Sequence, residues 1–273
     1  MATEDQTPVG NLWYAFLTLN LWLCFTSVIM VVATAIALDV SVTAVGFGLF
    51  IPAFLCLFIY LEDRRRVGAE DEMNHPRRTQ LVRRYHRGLR VLSAIGFIGY
   101  ESLLAYFVIT ELEVGGLWFA IGQLPFFALI GYRQMKRFPG IDSAVVAGLW
   151  AFISPYAVIV ATGHPFEPAV AVVFVAWFLI AFAGVESRNI RHLEGDLAAG
   201  NAPLAGYIGI RATRLTAIVL KSIGLAIFLI FGGIAVALIV ATYLVILTTF
   251  RWLEYRHTGL PVREGTVGID YNR

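Results

Sequence analysis

Apolar runs of about 20 residues, each long enough to cross a bilayer as a helix, recur along almost the whole of this 273-residue chain. Inside hydrocarbon a segment must satisfy its own backbone N–H and C=O groups, so a chain made of such runs folds as a helical bundle. Eight runs are read at about 12–38, 41–61, 91–110, 114–132, 143–162, 168–186, 213–231 and 233–253. Gly232-Gly233 between the last two is read as a tight turn, because one helix over both would be about twice the bilayer thickness. Composition agrees: 58% of residues are hydrophobic and 15% charged, against about 25% charged in soluble domains. The expectation is an all-α integral membrane protein, a bundle of about eight transmembrane helices. It forms one domain over 1–273, with halves at about 12–132 and 143–253 and a tail at 254–273.

All the Lys and Arg residues except Lys221 fall in four places: 62–90, the turn at Arg133, Lys136 and Arg137, the segment 187–214, and the chain from Arg251 onward. The opposite turns, near Asp39, Glu111–Glu113 and His164–Glu167, carry none. The positive-inside rule then puts both termini and the two long loops in the cytoplasm of a multi-pass protein of the cell membrane, and makes the helix count even. The net charge of +2 is assigned to contact with anionic headgroups and not to nucleic acid. MATEDQTPVG lacks a basic residue, so the first apolar segment is read as a retained helix and not a cleaved signal. Cys24 and Cys56 lie in apolar runs without metal-binding spacing.

Polar residues that the topology does not need concentrate in two loops, one after the second run and one after the sixth, at the same place in each half. Two such loops can close over a common cavity. In the first, Asp63, Asp71, Asn74 and Arg78 fall along one side if the helix continues past Tyr60, with Val67 interrupting the row. Asp63 and Asp71 would stand about 12 Å apart, too far to share one ion. In the second, Glu186, Asn189, His192 and Asp196 share a helical face. Carboxylate and amide oxygens suit Mg²⁺ shared with phosphate, whereas His192 is a softer ligand. The plain alternative is that Arg64–Arg66, Arg83, Arg84 and Arg87 set orientation and the acids pair with them.

At these loops the chain resembles the UbiA superfamily of intramembrane prenyltransferases. Asp71-Glu-Met-Asn74-His-Pro76-Arg-Arg78 matches the end of that family's first aspartate-rich motif. Asn189-Ile-Arg191-His192-Leu-Glu194-Gly195-Asp196, with Gly200 and Pro203-Leu204, matches the second. Arg64, Val67 and His192 stand where the family commonly has aspartates, with Glu62 or Glu70 as possible substitutes. The resemblance implies Mg²⁺ held by Asp63, Asp71, Asn189 and Asp196, and a diphosphate bound or loops ordered by Asn74, Arg78, Arg191 and Glu194. It implies transfer of an isoprenoid chain from a prenyl diphosphate to a lipophilic acceptor of quinone-precursor, carotenoid or lipid type. A terpene cyclase, or a non-catalytic lipid-binding or transport protein on the same scaffold, are the alternatives.

Two charges lie within apolar runs, Glu101 and Lys221. Glu101 is the catalytic candidate, orienting or deprotonating an acceptor or pairing with Lys221; Lys221 alternatively snorkels to the interface. Asn20 and the Ser154-Pro155 step are candidate cavity residues or ordinary packing features. Phe, Trp and Tyr make up 14% of the chain, enough to line a cavity as well as face lipid.

Overall fold

Every regular element among the described residues of the computed structural model is helical; these residues are 8–67, 72, 76–110, 115–198 and 200–258. Asp71, Asn74, Glu70 and the tail beyond 258 lie outside them. Helix α1 (Pro8–Thr18) leads into α2 (Trp22–Ala37), and a short α3 (Val42–Val45) with a 3-10 turn feeds α4 (Ile51–Arg65). Then come α5 (Pro76–Arg84), α6 (His86–Thr110), α7 (Gly115–Gly122), α8 (Leu124–Met135), α9 (Ile141–Thr162), α10 (Pro168–Ala198), α11 (Leu204–Ile208) and α12 (Ile210–Thr258).

Eight spans are expected from hydropathy; by length and composition the described residues contain five, at Val42–Arg65, His86–Thr110, Ile141–Thr162, Pro168–Ala198 and Ile210–Glu254. A sixth arises if α1 and α2, bent by 51°, act as one span. The bend replaces the single helix read over 12–38. At its centre Asn20 has φ 61°, a left-handed conformation that Asn tolerates and bulkier L-residues do not. Asn20→Leu is therefore expected to destabilise the fold by about 1–2 kcal/mol, with Asn20→Gly close to wild type. Thermal unfolding in detergent measures the difference.

Between α6 and α9 the apolar run is only Gly115–Gly131, broken near Gly122. Tyr100 Oη donates to the Gly122 carbonyl at 2.6 Å and Tyr156 Oη to the Trp118 carbonyl at 2.7 Å, so neighbouring helices hold this break. The long helix α12 has a non-helical residue, Gly233, at φ 76° and ψ −177°. Its two arms lie against the same turn of α10: the Trp177 ring is 4.8 Å from Phe228 and 5.3 Å from Tyr243. On a straight helix those two residues would be about 22 Å apart along the axis, so α12 doubles back at the glycine.

The core is built around the buried Trp22, Tyr100, Tyr156, Trp177 and Phe228. Trp177 Nε1 donates to Thr34 Oγ1 at 2.9 Å, and Thr34 Oγ1 is 3.0 Å from Ser154 Oγ. These contacts tie α2, α9 and α10 together beside Pro155. Helices α4 and α6 pack closely because Gly96 has no side chain: a Cβ there would stand 2.7 Å from the Phe58 nitrogen. Ser93 Oγ donates to Glu62 Oε1 at 2.7 Å across the same contact, and Glu62 also pairs with Arg65. These contacts fix the end of α4 that carries Asp63.

Candidate functional site

A cavity of about 170 Å³ lies among α4, α8, α9, α10, the second arm of α12 and the bend between α1 and α2. Its polar lining comes from one end of these helices: Asp63 from α4, Arg188 and Asn189 from α10, Arg251 and Glu254 from α12, and Asn20 from the bend. Farther along the same helices the lining turns apolar, through Leu55, Ile180 and Tyr243. Each of these precedes Asp63, Arg188 or Arg251 by the same interval, a rise of about 12 Å. The cavity is therefore a shaft with a charged mouth and an apolar floor. Tyr60 and Trp150 form one wall, joined by a 3.1 Å hydrogen bond from Trp150 Nε1 to Tyr60 Oη.

The mouth carries two guanidiniums, Arg188 and Arg251, and two carboxylates, Asp63 and Glu254. Arg251 Nη1 donates to the Gly184 carbonyl at 2.5 Å, and its head lies 3.6–3.7 Å from where a Gly184 Cβ would be, an ordinary contact distance. Arg191 Nη1 donates to the Arg251 carbonyl at 3.2 Å, tying α10 to the end of α12. Arg188, Arg64, Arg78 and Arg191 all act electrostatically on His192, and of these Arg188 is on the cavity lining. Arg64 is 8% exposed, and its Nη1 lies 3.5 Å from Asp63 Oδ2. Its Nε and Nη2 are sealed from water without a hydrogen-bond acceptor.

The residues singled out from sequence separate into those at the cavity and those away from it. Asp63 on α4 and Asn189 on α10, far apart in the chain and both expected in loops, line the same space from helices. Asn189 Nδ2 donates to the buried Ser143 Oγ at 3.1 Å. Arg78 is buried and off the cavity lining. Asp196 is off the lining and accepts from Asn201 Nδ2 at 3.2 Å, and Glu194 is exposed. Asp71 and Asn74 lie outside the described residues. Glu101 is not on the cavity lining. Its Oε2 accepts from Gln123 Nε2 at 3.3 Å, and this contact links α6 to the α7–α8 break. Ser154 and Pro155 face the core and not the cavity, whereas Asn20 does line it.

Arg188, Arg251, Tyr60 and Trp150 were not legible as site residues. Arg188 adjoins Asn189 and could have been found by extending the motif by one residue. Arg251 reads in the sequence as an orientation charge at the end of an apolar run.

A Mg²⁺ ion needs oxygen ligands, typically one or two carboxylates in addition to those of a phosphate. Among the described residues no group of three or more His, Cys, Asp or Glu side chains is placed to hold a metal. Asp63 is engaged by Arg64, and the neighbouring motif positions hold Arg64 and His192 amid guanidiniums that repel a divalent cation. The described residues do not supply the oxygen ligands of a pair of Mg²⁺ ions. Comparison of the chain with protein-family models, with curated proteins and with solved structures finds no match.

Proposed function

We propose that this chain is a membrane prenyltransferase of UbiA-like architecture, which takes an isoprenoid diphosphate into the cavity and transfers the chain to a lipophilic acceptor. The observation that carries the reading is a single shaft with Asp63, Arg188, Asn189 and Arg251 at one end and an apolar, aromatic-walled interior beyond them. A diphosphate suits the first part and a hydrocarbon tail the second. The reaction breaks the allylic C–O bond, with the electron pair leaving on the diphosphate. The acceptor bonds to the allylic carbon and gives up a proton. Arginines oppose the charge that develops on the leaving oxygen, and an enclosed apolar interior keeps water from the cation.

Eight crossings follow if the bent α1–α2 pair, the broken α7–α8 run and each arm of α12 count as one crossing apiece. That number is even, which puts both termini on one side; the distribution of Lys and Arg assigns that side to the cytoplasm. The test is turnover in nanodiscs with labelled geranylgeranyl diphosphate and a panel of phenolic, carotenoid and lipid acceptors. The expected result is a prenylated acceptor with an equal amount of released diphosphate. A cyclic hydrocarbon formed without acceptor would replace this reading with a cyclase.

A second reading, a non-catalytic binder of an anionic isoprenoid lipid, is favoured by Arg64 and His192 at positions where acids would hold metal. An intact copurifying lipid with no diphosphate release from any prenyl chain length would establish it over transfer.

A further inference from the structure

We infer that the anionic head is held directly by guanidinium groups, with no divalent cation between protein and ligand. The inference rests on the reading that the ligand is an isoprenoid diphosphate. Arg64, at the end of α4, is more than nine-tenths buried. Its Nη1 faces Asp63, while Nε and Nη2 lie out of contact with water and without an acceptor. A buried donor without a partner is costly, and a guanidinium presents its donors as a planar fork that matches two phosphate oxygens. An oxyanion at this place would satisfy both nitrogens at once.

The surroundings point the same way. Arg64 from α4, Arg78 from α5, and Arg188 and Arg191 from α10 all act electrostatically on His192. Arg78 is as deeply buried as Arg64, so its charge, like that of Arg64, is poorly screened by water. Each of these guanidiniums attracts an oxyanion bound beside Arg64. A divalent cation would meet the opposite field. Two carboxylates line the cavity: Asp63, which already faces Arg64, and Glu254, which acts on Arg251. In this arrangement the arginines carry the positive charge that a metal would otherwise bring to the diphosphate.

The experiment is a binding titration of the full chain in detergent with geranylgeranyl diphosphate, followed by thermal shift and calorimetry, in EDTA and in Mg²⁺. Affinity in EDTA is expected to be within about threefold of that in Mg²⁺. Arg64→Gln is expected to lower it at least tenfold, and Arg64→Lys by less. Parallel titrations use inorganic pyrophosphate and phosphatidic acid. Pyrophosphate that competes with the prenyl ligand supports a diphosphate site, whereas competition by phosphatidic acid alone overturns it in favour of a phospholipid headgroup. Wild-type binding that appears only with Mg²⁺ overturns the metal-free inference and leaves the diphosphate reading standing. Absence of binding at every prenyl length, in both buffers, overturns the reading and the inference together. The comparison of EDTA with Mg²⁺ uses the wild-type protein, so it decides the matter even if the Arg64 variants fail to fold.

Discussion

Arg188→Met is expected to weaken prenyl diphosphate binding by roughly 10- to 100-fold while leaving the ligand-free protein as stable as wild type, or more so. The two effects have opposite signs for one physical reason. Arg188 and Arg251 line the same cavity, and Arg188 is a like-charged neighbour that opposes the charge on Arg251. Removing one guanidinium relieves that repulsion in the empty site. With a diphosphate present, the same change deletes charge-assisted hydrogen bonds worth about 1.5–3 kcal/mol, which corresponds to that loss of affinity. Methionine keeps an unbranched, apolar side chain of similar reach, so lost packing contributes little. Arg188→Lys retains the charge without the planar fork and should fall between the two. Calorimetric affinity and the melting temperature without ligand are the paired measurements. A variant that melts lower and binds as well as wild type would make Arg188 a structural residue and remove it from the site.

The helical membrane class was legible because hydrophobic run length is a local property that tertiary contacts do not alter. The number of spans was less legible, and the reasons are particular. Hydropathy averaged over 12–38 does not see a bend held by one left-handed Asn20. The run over 114–132 looked continuous, but it breaks near Gly122, where Tyr100 and Tyr156 satisfy carbonyls from other helices. At the site, spacing along a helix placed Asn189 on the polar face of its motif, and the cavity lies against it. Arg251 was illegible because a charge at the end of an apolar run looks the same whether it meets lipid headgroups or enters a cavity. Its distinguishing partner is the Gly184 carbonyl, which belongs to another helix. Arg64 was legible as a departure from a motif. Its burial, which turns the departure into chemistry, depends on packing at the end of α4. Glu101 drew notice as a charge inside an apolar run, and the fold gives it a local partner in Gln123.

Gly233→Val is expected to cost about 1–3 kcal/mol of stability and to disable the site together with the fold. At φ 76° and ψ −177° the residue occupies a region that is essentially restricted to glycine, and a β-branched side chain is especially disfavoured there. The turn matters beyond its own strain because it returns the second arm of α12 along α10. That return brings Tyr243 to Trp177 and Arg251 to the Gly184 carbonyl. The first arm meets the same stretch of α10 at Gly224, where a Cβ would stand 2.7 Å from Ile180 Cγ1 and 2.9 Å from the Ala176 carbonyl. A valine that straightened or misdirected the turn would separate these two sets of contacts and carry Arg251 out of the cavity mouth. Loss of prenyl diphosphate binding should therefore accompany the fall in melting temperature, unlike in Arg188→Met. Labelling separates this from a merely local defect. With Cys24 and Cys56 replaced by serine, single cysteines at Arg214 and Arg256 in wild-type background should react with an impermeant maleimide from the same side of the membrane. Reaction from opposite sides would mean that α12 crosses once, and would remove both the hairpin and the eight-span arrangement that depends on it.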